Sequence, residues 1–540
     1  MALLDAYVYV STRVGADPVK TIFLFGPDRA SSSRVDAAAF AERSGWLAQV
    51  EEDAAVLVAP VAPEGWDAVP AGAAKELYQA LRGSFKIPAG GGVDGRGGNA
   101  WAWETLIYLV GYAEGAAFVG EEIAAHPNFA VASILVDGRA RSLGALDAPS
   151  DHWLVPAPAD YACRNRDVPV SLWLMGAETD GGAMCAAFRE VNGATRATTT
   201  AVDGYDLQVF ENPAAPAARI LVSPGLSGAN GDIAALGMHG YFNHVMRWKN
   251  GPDGELALRY SKNEFFENGV FEHGAVEGPA GRYHYAVHLP AGMAREEARG
   301  LPLVLSVHGR GEPAWLFSYK NGWEDLADET RGFAVLLPDS PGNKWIYERD
   351  AAPFLAIVDA ALEEYGFDAG RVYLTGFSNG ALFTGQLGTA HPERFAAASP
   401  WNSPGERALV QDALGAFAYS PDFADAGCEL PFWVVYGDQD NKAPAVREEG
   451  FDQVLAANGC APEPTEVWDG ANRYTAAAGY AQGGRLSTQV FTNARGVPMA
   501  GFTLMKNMPH GAIADEARAA WAFMKRFRRA GGAKKVEVIG

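Results

Sequence analysis

Short, continuous apolar runs recur along the chain and are separated by longer stretches with apolar residues at helical spacing. Leu301–Val307, Val372–Leu374, Pro431–Tyr436 and Gly501–Met505 are runs of this kind, typical of strands buried on both faces of a sheet. The segment Ala514–Phe527 instead spaces its apolar side chains as an amphipathic helix does. Strands alternate with helices in both halves, so the sequence predicts an α/β fold in which helices cover both faces of a mostly parallel sheet.

One of these runs leads directly into a tight turn that contains a serine. Val372–Leu374 is followed by Gly376-Phe-Ser378-Asn-Gly380 and then by an apolar, helix-compatible stretch. In a strand–turn–helix context, the G-x-S-x-G spacing holds a serine hydroxyl above a sheet, and the glycines are needed because the turn leaves no room for side chains. Ser378 is therefore predicted to be a nucleophile, with the N–H of Asn379 facing an oxyanion.

A nucleophilic serine needs a base, and two histidines follow Ser378, namely His391 and His510. In hydrolases that use this turn, the chain order is serine, then acid, then histidine. His510 lies on a loop between the strand-like Gly501–Met505 and the helical Ala514–Phe527, where such a base belongs. His391 stands at the end of the helix that follows the turn and is interpreted as structural.

The acid that orients His510 is expected on the loop after Pro431–Tyr436. Two carboxylates lie there, Asp438 and Asp440. We assign to Asp440 the role of orienting the imidazole and stabilising its charged form. Asp438 stays the competing choice.

A second oxyanion donor is expected on the turn that follows the early strand Leu301–Val307. That turn reads His308-Gly-Arg310-Gly311. The N–H of Arg310 is the predicted donor, with Gly311 as the second choice. His308 precedes the serine in the chain and is interpreted as supporting the loop.

Together these motifs resemble the esterase and polyhydroxybutyrate-depolymerase-like branch of the α/β-hydrolases, which also holds feruloyl and acetylxylan esterases. The resemblance covers about residues 270–530 and rests on His308-Gly309, Asn321-Gly322-Trp323, Pro338-Asp339, Gly376 to Ala381, Tyr436 to Asp440, Pro509-His510-Gly511 and Trp521. It implies serine-dependent hydrolysis of acyl, feruloyl or hydroxyalkanoate esters through an acyl-enzyme, on small or polymeric substrates. It implies no metal and no organic cofactor. Arg310 departs from the small residue or cysteine often found at its position.

Three tryptophans that follow predicted strands of the second half are candidates for a substrate site: Trp315, Trp345 and Trp401. Ligands of open α/β folds bind beyond the carboxyl ends of the strands. We predict that these rings line an acyl, aromatic or polymer-chain site, with core packing as the alternative. Trp66 mirrors Trp345 in the first half, which favours packing for Trp345.

The first half of the chain repeats the second at a spacing of about 265 residues. The stretch 109–116 corresponds to 374–381, and His126-Pro answers His391-Pro in the same order. A repeat of this length indicates a duplicated domain. The join is predicted within 249–254, which is rich in turn-forming residues.

The first copy is predicted to be non-catalytic. Its counterparts of the proposed nucleophile, acid and base are Ala113, Thr179 and the region around Ser227. We therefore predict a degenerate α/β-hydrolase-like domain at 1–250 and a catalytic α/β-hydrolase domain at 251–540. The degenerate copy either mimics a homodimer interface within one chain, which we favour, or shapes the substrate entrance. The oligomeric state is left open.

Composition narrows the partners. The 540 residues include 44 Lys and Arg against 65 Asp and Glu, a formal net charge of −21, which disfavours nucleic acid and anionic membranes. No apolar run is long enough to predict a membrane span. No secretory leader is recognised, which predicts a cytoplasmic protein as the sequence stands and a secreted one if a leader precedes it. The four cysteines form no metal-binding motif, and their pairing is left open.

Ester hydrolysis is thus the function that the sequence favours. A serine peptidase or an acyltransferase would use the same three residues, and a non-catalytic binding protein would leave them unused. No set of short, propeller-like strands precedes the second half, which disfavours a prolyl-oligopeptidase arrangement.

Overall fold

The chain forms two compact units, of which the first ends at Arg259. The computed structural model describes residues 3–15, 17–82, 101–151, 163–176, 182–248, 254–259, 264–265, 271–403, 423, 427–440, 449–469, 486–505, 508, 510–531 and 533–539. The boundary lies beyond the join predicted near residue 250. The reason is that the strands on either side of that segment, Val245–Trp248 and Glu255–Leu258, pair as one antiparallel hairpin of the first unit.

The first unit, called unit 1 below, contains both strands and helices in alternation. Its strands are β1 (Ala6–Val10), β2 (Pro18–Phe25), β3 (Val56–Pro60), β4 (Trp101–Tyr112), β5 (Ala132–Val136), β6 (Ser171–Met175), β7 (Arg196–Val202), β8 (Tyr205–Asn212), β9 (Ala215–Ser223), β10 (Val245–Trp248) and β11 (Glu255–Leu258). Its helices are α1 (Arg34–Arg43), α2 (Trp46–Glu52), α3 (Ala73–Arg82), α4 (Glu114–Ala125), α5 (Ala183–Val191) and α6 (Gly231–His239).

The second unit, unit 2, has the same alternation. Its strands are β12 (Glu272–Gly278), β13 (Gly281–His288), β14 (Leu303–Val307), β15 (Ala334–Pro338), β16 (Val372–Phe377), β17 (Ala397–Trp401), β18 (Phe432–Gly437), β19 (Glu466–Asp469), β20 (Leu486–Thr492), β21 (Pro498–Met505), β22 (Phe527–Arg528) and β23 (Glu537–Val538). Its helices are α7 (Ala314–Asn321), α8 (Trp323–Thr330), α9 (Tyr347–Tyr365), α10 (Asn379–Ala390), α11 (Glu449–Ala457) and α12 (Ala514–Met524).

The large sheets of the two units have matching strand orders. Over the described residues the order is β1-β3-β2-β4-β5-β6-β9-β8-β7 in unit 1 and β12-β13-β15-β14-β16-β17-β18-β21-β20-β19 in unit 2. The run from β3 to β9 in the first sheet and from β15 to β21 in the second is parallel. Strands at both edges are antiparallel. Apart from β12 the orders agree strand for strand, and the predicted α/β fold with mostly parallel sheets flanked by helices is confirmed.

Each unit buries its own apolar core around its sheet. Ile107 and Leu109 of β4 lie in the core of unit 1, and Leu305 of β14 and Leu374 of β16 lie in that of unit 2, all fully buried. Burial on both faces is why these strands are continuous apolar runs in the sequence. The runs predicted as strands are strands, with ends displaced by a few residues.

Helix α12 ends at Met524 and not at Phe527, where its apolar pattern ends. Phe527 instead pairs with Val538 in the short antiparallel ladder of β22 and β23. In the part of the chain that the structure describes, no helix is long and apolar enough to cross a membrane.

Candidate active site

Ser378 lies on a strained turn between β16 and α10. Its backbone has φ 53° and ψ −117°, in a region that residues with a side chain rarely adopt. The Ser378 N–H donates to the carbonyl of Trp401 (3.0 Å). A Cβ atom at Gly380 would collide with the carbonyl oxygens of Val307 and His308, so glycine is required where the helix passes over the end of β14. The neighbouring strands thereby hold the serine in its strained conformation.

His510 connects Ser378 to Asp440. The Nε2 atom of His510 lies 2.8 Å from Ser378 Oγ, and its Nδ1 atom lies 2.5 Å from Asp440 Oδ2. The Asp440 side chain is fully buried and that of His510 is 20% exposed. The order from carboxylate to imidazole to hydroxyl is that of a serine nucleophile with a general base and an orienting acid.

Two hydrogen bonds join the loops that carry the acid and the histidine. The Gln439 N–H donates to the Met508 carbonyl (3.0 Å), and the Met508 N–H donates to Asp438 Oδ1 (3.3 Å). Asp438, the competing acid of the sequence analysis, is exposed and bonds the backbone. Of the two carboxylates, it is Asp440 that contacts the imidazole.

An aromatic ring packs against the histidine, and a buried ion pair lies next to that ring. The Phe377 ring packs on the His510 imidazole, with 5.0 Å between ring centroids. The Lys320 ammonium lies 4.1 Å from the centroid of the Phe377 ring and pairs with the buried Glu312 carboxylate. Burial lowers the pKa of Lys320 although Glu312 opposes the shift. The Phe377 ring thus lies in contact with both the imidazole and the Lys320 ammonium.

The two predicted oxyanion donors occupy suitable backbone positions. Asn379 is the first residue of α10, and an N–H at this position has no acceptor within its helix. Arg310 lies on the turn after β14 with its side chain exposed. The alternative Gly311 is already used, because its N–H donates to the Asn343 carbonyl (2.7 Å). The geometry favours Arg310 over Gly311.

His308 supports this turn, as its position in the chain indicates. The side chain is fully buried, and its Nε2 atom accepts from the Ser340 N–H (3.0 Å). Its Nδ1 atom lies 2.8 Å from the Gly309 carbonyl oxygen, to which it donates in the tautomer that the first bond requires. The bonds join the turn to the segment that follows β15.

The three tryptophans proposed for the substrate site lie in the interior. Trp345 and Trp401 are each 1% exposed. Trp345 stacks on Phe383 and Trp401 stacks on Trp323, with centroids 5.0 and 5.7 Å apart. Their burial supports the packing alternative and does not support substrate contact. Trp315, in α7, is also buried at 7% exposure, the largest exposed fraction of the three.

Asn402 is a residue that sequence reasoning missed. It follows β17 with φ 49°, accepts from the Gly437 N–H (2.6 Å) and donates to the Gly511 carbonyl (2.6 Å). One side chain therefore joins the end of the acid strand to the residue after His510. The available signal was a polar residue directly after a buried strand, at the edge where parallel strands present ligand-binding groups.

Unit 1 keeps the turn without the nucleophile. Ala113 has φ 50° and ψ −116°, close to the values at Ser378. Gly115 lies against the carbonyls of Phe25 and Gly26, as Gly380 lies against β14. Unit 1 thus has the same strained turn with an alanine where unit 2 has the serine.

The other two counterparts in unit 1 are less complete. The Gly228 N–H donates to Asp137 Oδ2 (2.6 Å), and Asp137 follows β5 as Asn402 follows β17. In unit 2 the Asn402 side chain donates to the Gly511 carbonyl, and the region around Ser227 stays the predicted counterpart of His510. Thr179, the predicted counterpart of Asp440, lies outside the described residues.

Replacing Ala113 with glycine is expected to stabilise unit 1. The strained conformation costs about 1–3 kcal/mol for a residue with a Cβ atom, and glycine gives back about 0.5–1 kcal/mol through the freedom of the unfolded chain. We expect the opening free energy of β4 and α4 to rise by about 1 kcal/mol, measured by native-state hydrogen exchange on the full chain. A lower opening free energy would show that the Ala113 turn carries no strain.

The sheet order and a serine on a strained strand-to-helix turn define an α/β-hydrolase fold. The family model described as esterase PHB depolymerase matches residues 283–404. The predicted resemblance to this family is thereby confirmed for that part of unit 2.

Known relatives match the chain over limited stretches. A bifunctional acetylxylan esterase/xylanase of Neocallimastix patriciarum is 29% identical over 169 residues, which are 31% of this chain and 22% of that protein. Poly(3-hydroxyalkanoate) depolymerase C of Paucimonas lemoignei is 29% identical over 126 residues, 21% of this chain and 29% of that protein. Feruloyl esterase B of Thermothelomyces thermophilus is 26% identical over 113 residues, 19% of this chain and 38% of that protein. The chain thus spans between 22% and 38% of the length of these relatives.

Among solved structures, an acetyl xylan esterase from Aspergillus awamori is similar at 15% sequence identity and a TM-score of 0.36. The match covers 47% of this chain and 99% of that one.

Proposed function

We propose that unit 2 is a serine hydrolase that cleaves carboxylic esters through an acyl-enzyme. The observation that carries the proposal is the continuous relay Ser378–His510–Asp440, with 2.8 and 2.5 Å between the bonding atoms. The roles of the three residues follow from that order. A hydroxyl is a weak nucleophile until an adjacent base takes its proton.

The first half of the reaction forms the acyl-enzyme. Ser378 Oγ attacks the ester carbonyl carbon while its proton passes to His510 Nε2, and the carbonyl oxygen becomes an oxyanion. The N–H groups of Asn379 and Arg310 would stabilise that charge. The tetrahedral adduct then collapses, the bond to the alcohol oxygen breaks, and His510 returns the proton to the leaving alcohol.

The second half repeats these steps with water. His510 accepts a proton from water as the hydroxide attacks the acyl carbonyl. Collapse of the second adduct releases the carboxylic acid and gives the proton back to Ser378 Oγ. The fully buried carboxylate of Asp440 keeps the imidazole in one tautomer and stabilises its cation through both halves.

The substrate class is proposed from the relatives. Their names describe esterases of acetylxylan and feruloyl groups and a depolymerase of poly(3-hydroxyalkanoate). We propose acyl, feruloyl or hydroxyalkanoate esters, small or polymeric, as the substrates of this chain.

We propose that unit 1 is a duplicated copy of the hydrolase fold that has lost its chemistry. Matching strand orders and the Ala113 turn support this origin. Glu114 stands where unit 2 has Asn379, and its carboxylate lies beside the turn that follows β2. A negative charge there would oppose an oxyanion. A role as a built-in dimer-like partner of unit 2 stays our preferred proposal, ahead of a role in shaping the substrate entrance.

Labelling by a fluorophosphonate probe tests the activated serine directly. We expect one label per chain, on the peptide that contains Ser378, because the reaction requires a hydroxyl coupled to a base. A panel of acetyl, feruloyl, 3-hydroxyalkanoate and p-nitrophenyl esters, with matched peptide amides, then separates ester from amide hydrolysis. An unlabelled Ser378 would favour a binding protein, and faster amide cleavage would favour a peptidase.

A further inference from the structure

We propose that the segment Asp339–Ile346 sets the geometry of the oxyanion hole, and that the Asn379 side chain is the positioning residue that couples the hole to it. The inference rests on the proposed function, since it concerns the same site. It assigns a role to the Asn379 side chain beyond that of its backbone N–H. The observation behind it is that one short segment forms hydrogen bonds with both parts of the backbone that carry the predicted donors, the turn at Arg310 and the start of α10.

The first connection is a pair of amide bonds. Asn379 Oδ1 accepts from the Trp345 N–H (2.7 Å), and Asn379 Nδ2 donates to the Trp345 carbonyl (3.1 Å). The Asn379 side chain is buried, with 3% exposure for the residue. Two bonds from one planar amide fix both the distance and the orientation of the first residue of α10. The direction of the Asn379 N–H is therefore tied to the Trp345 backbone.

The second connection holds the other donor. The Gly311 N–H donates to the Asn343 carbonyl (2.7 Å), which anchors the turn just after Arg310. Asn343 has φ 53°, a left-handed conformation that asparagine tolerates better than most residues with a side chain. The N–H groups of Asn379 and Arg310 are thus spaced by one common segment.

The segment itself is braced on its far side. Ser340 Oγ donates to the Lys344 carbonyl (2.7 Å), and the Arg349 guanidinium donates to the same carbonyl (2.7 Å). The Ile346 N–H donates to the buried carboxylate of Asp350 (2.7 Å). These hydrogen bonds fix the conformation of the segment Asp339–Ile346. Preorganised donors of this kind need no rearrangement as charge develops.

In unit 1 the residues at the equivalent positions form different hydrogen bonds. Glu114 replaces Asn379, and its carboxylate accepts from the Asp28 N–H (3.4 Å), the counterpart of the Arg310 N–H. Trp66, the counterpart of Trp345, donates its N–H to Asp28 Oδ1 (3.0 Å). A carboxylate has no donor for a carbonyl, so Glu114 does not reproduce the two-bond amide pair. Unit 1, which has alanine at the position of Ser378, therefore also lacks the pair of amide hydrogen bonds that Asn379 forms.

The variants Asn379→Ala and Asn379→Asp test the role of the side chain. We expect kcat for a p-nitrophenyl ester to fall about 10- to 100-fold in Asn379→Ala with KM within about 3-fold, because the donor is misaligned and not removed. Affinity for a boronic acid that places an oxygen in the hole should fall by a similar factor. Asn379→Asp should lose more, since it cannot donate to Trp345 and adds negative charge beside the oxyanion.

The matched control is Thr389→Ala in the last turn of the same helix. Thr389 is 2% exposed and donates to the Gly385 carbonyl (2.6 Å), so its removal perturbs α10 away from the site. Fluorophosphonate labelling of every variant reports a folded, reactive serine. An unchanged kcat in Asn379→Ala, or equal losses in Thr389→Ala, would overturn the positioning role alone. A wild-type protein without ester activity or label would overturn it together with the proposed function.

Discussion

Replacing Ser378 with alanine is expected to lower kcat on p-nitrophenyl acetate by about 10⁵- to 10⁶-fold. The substitution removes the oxygen that we propose forms the acyl bond and leaves the fold intact, because alanine fits the same turn in unit 1, where Ala113 has φ 50°. Residual turnover of about 10³-fold over water is expected from the oxyanion donors and substrate binding. Initial rates, measured against a mass-spectrometric control for contaminating wild-type protein, give the factor.

The matched control for this variant is Ala113→Ser in the Ser378→Ala background. It places a hydroxyl on the equivalent turn of unit 1, where the predicted counterpart of the base is the region around Ser227 and the Glu114 carboxylate accepts from the Asp28 N–H. We expect no recovery of rate and no fluorophosphonate label on residue 113. A Ser378→Ala protein with full ester activity would remove Ser378 from the mechanism, and recovery by Ala113→Ser would make unit 1 a latent enzyme.

Much of this candidate site was predictable because its residues lie in short sequence motifs. The serine turn needs small residues around it, so Gly376 and Gly380 are a local sequence signal for the turn. His510 and Asp440 follow strands whose apolar runs are continuous, and parallel strands bring their carboxyl ends to one edge of the sheet. Chain order and position after a strand therefore narrowed the candidates for the base and the acid to a few residues. The α/β fold follows from the same alternation of runs.

The residues that join these parts were not predictable in the same way. Asn402 bonds Gly437 and Gly511, and Asn379 bonds Trp345. Each of these pairs is far apart in sequence, and an asparagine after a strand or at a helix start has local explanations as well. The tryptophan positions are ambiguous for a related reason. Position after a strand does not distinguish a ring that faces a ligand from one that fills the core, as Trp401 does.

Unit 1 indicates which features of the site depend on packing and which on chemistry. The turn at Ala113 has the backbone conformation of the turn at Ser378, and Gly115 lies against the carbonyls at the end of β2 as Gly380 lies against those at the end of β14. The side chains that only chemistry requires are not held in this way. The amide pair of Asn379 is absent from unit 1 although its tryptophan, Trp66, is kept and buried. This pattern is what we expect if the amide serves the oxyanion hole and the tryptophan serves the core.

Asp440→Asn is expected to lower kcat by about 10⁴-fold while leaving the fold intact. The Asp440 carboxylate can only accept, so it requires a proton on His510 Nδ1, 2.5 Å away, and leaves Nε2 free to take the proton of Ser378. An asparagine amide can donate to Nδ1 instead, which moves the imidazole proton to Nε2 and removes the base.

Asp438→Asn is the matched control for that loss. Asp438 is exposed and accepts from the Met508 N–H at 3.3 Å, a bond that an asparagine oxygen can also make, so kcat should stay within about 3-fold of the wild type. Steady-state kinetics on one ester across a range of pH, with labelling rates for Ser378, compares the two variants. A larger loss of kcat in Asp438→Asn than in Asp440→Asn would identify Asp438, and not Asp440, as the acid that orients His510. Near-normal rates in both variants would contradict the assignment, because they would show that neither carboxylate is needed to fix the tautomer of His510.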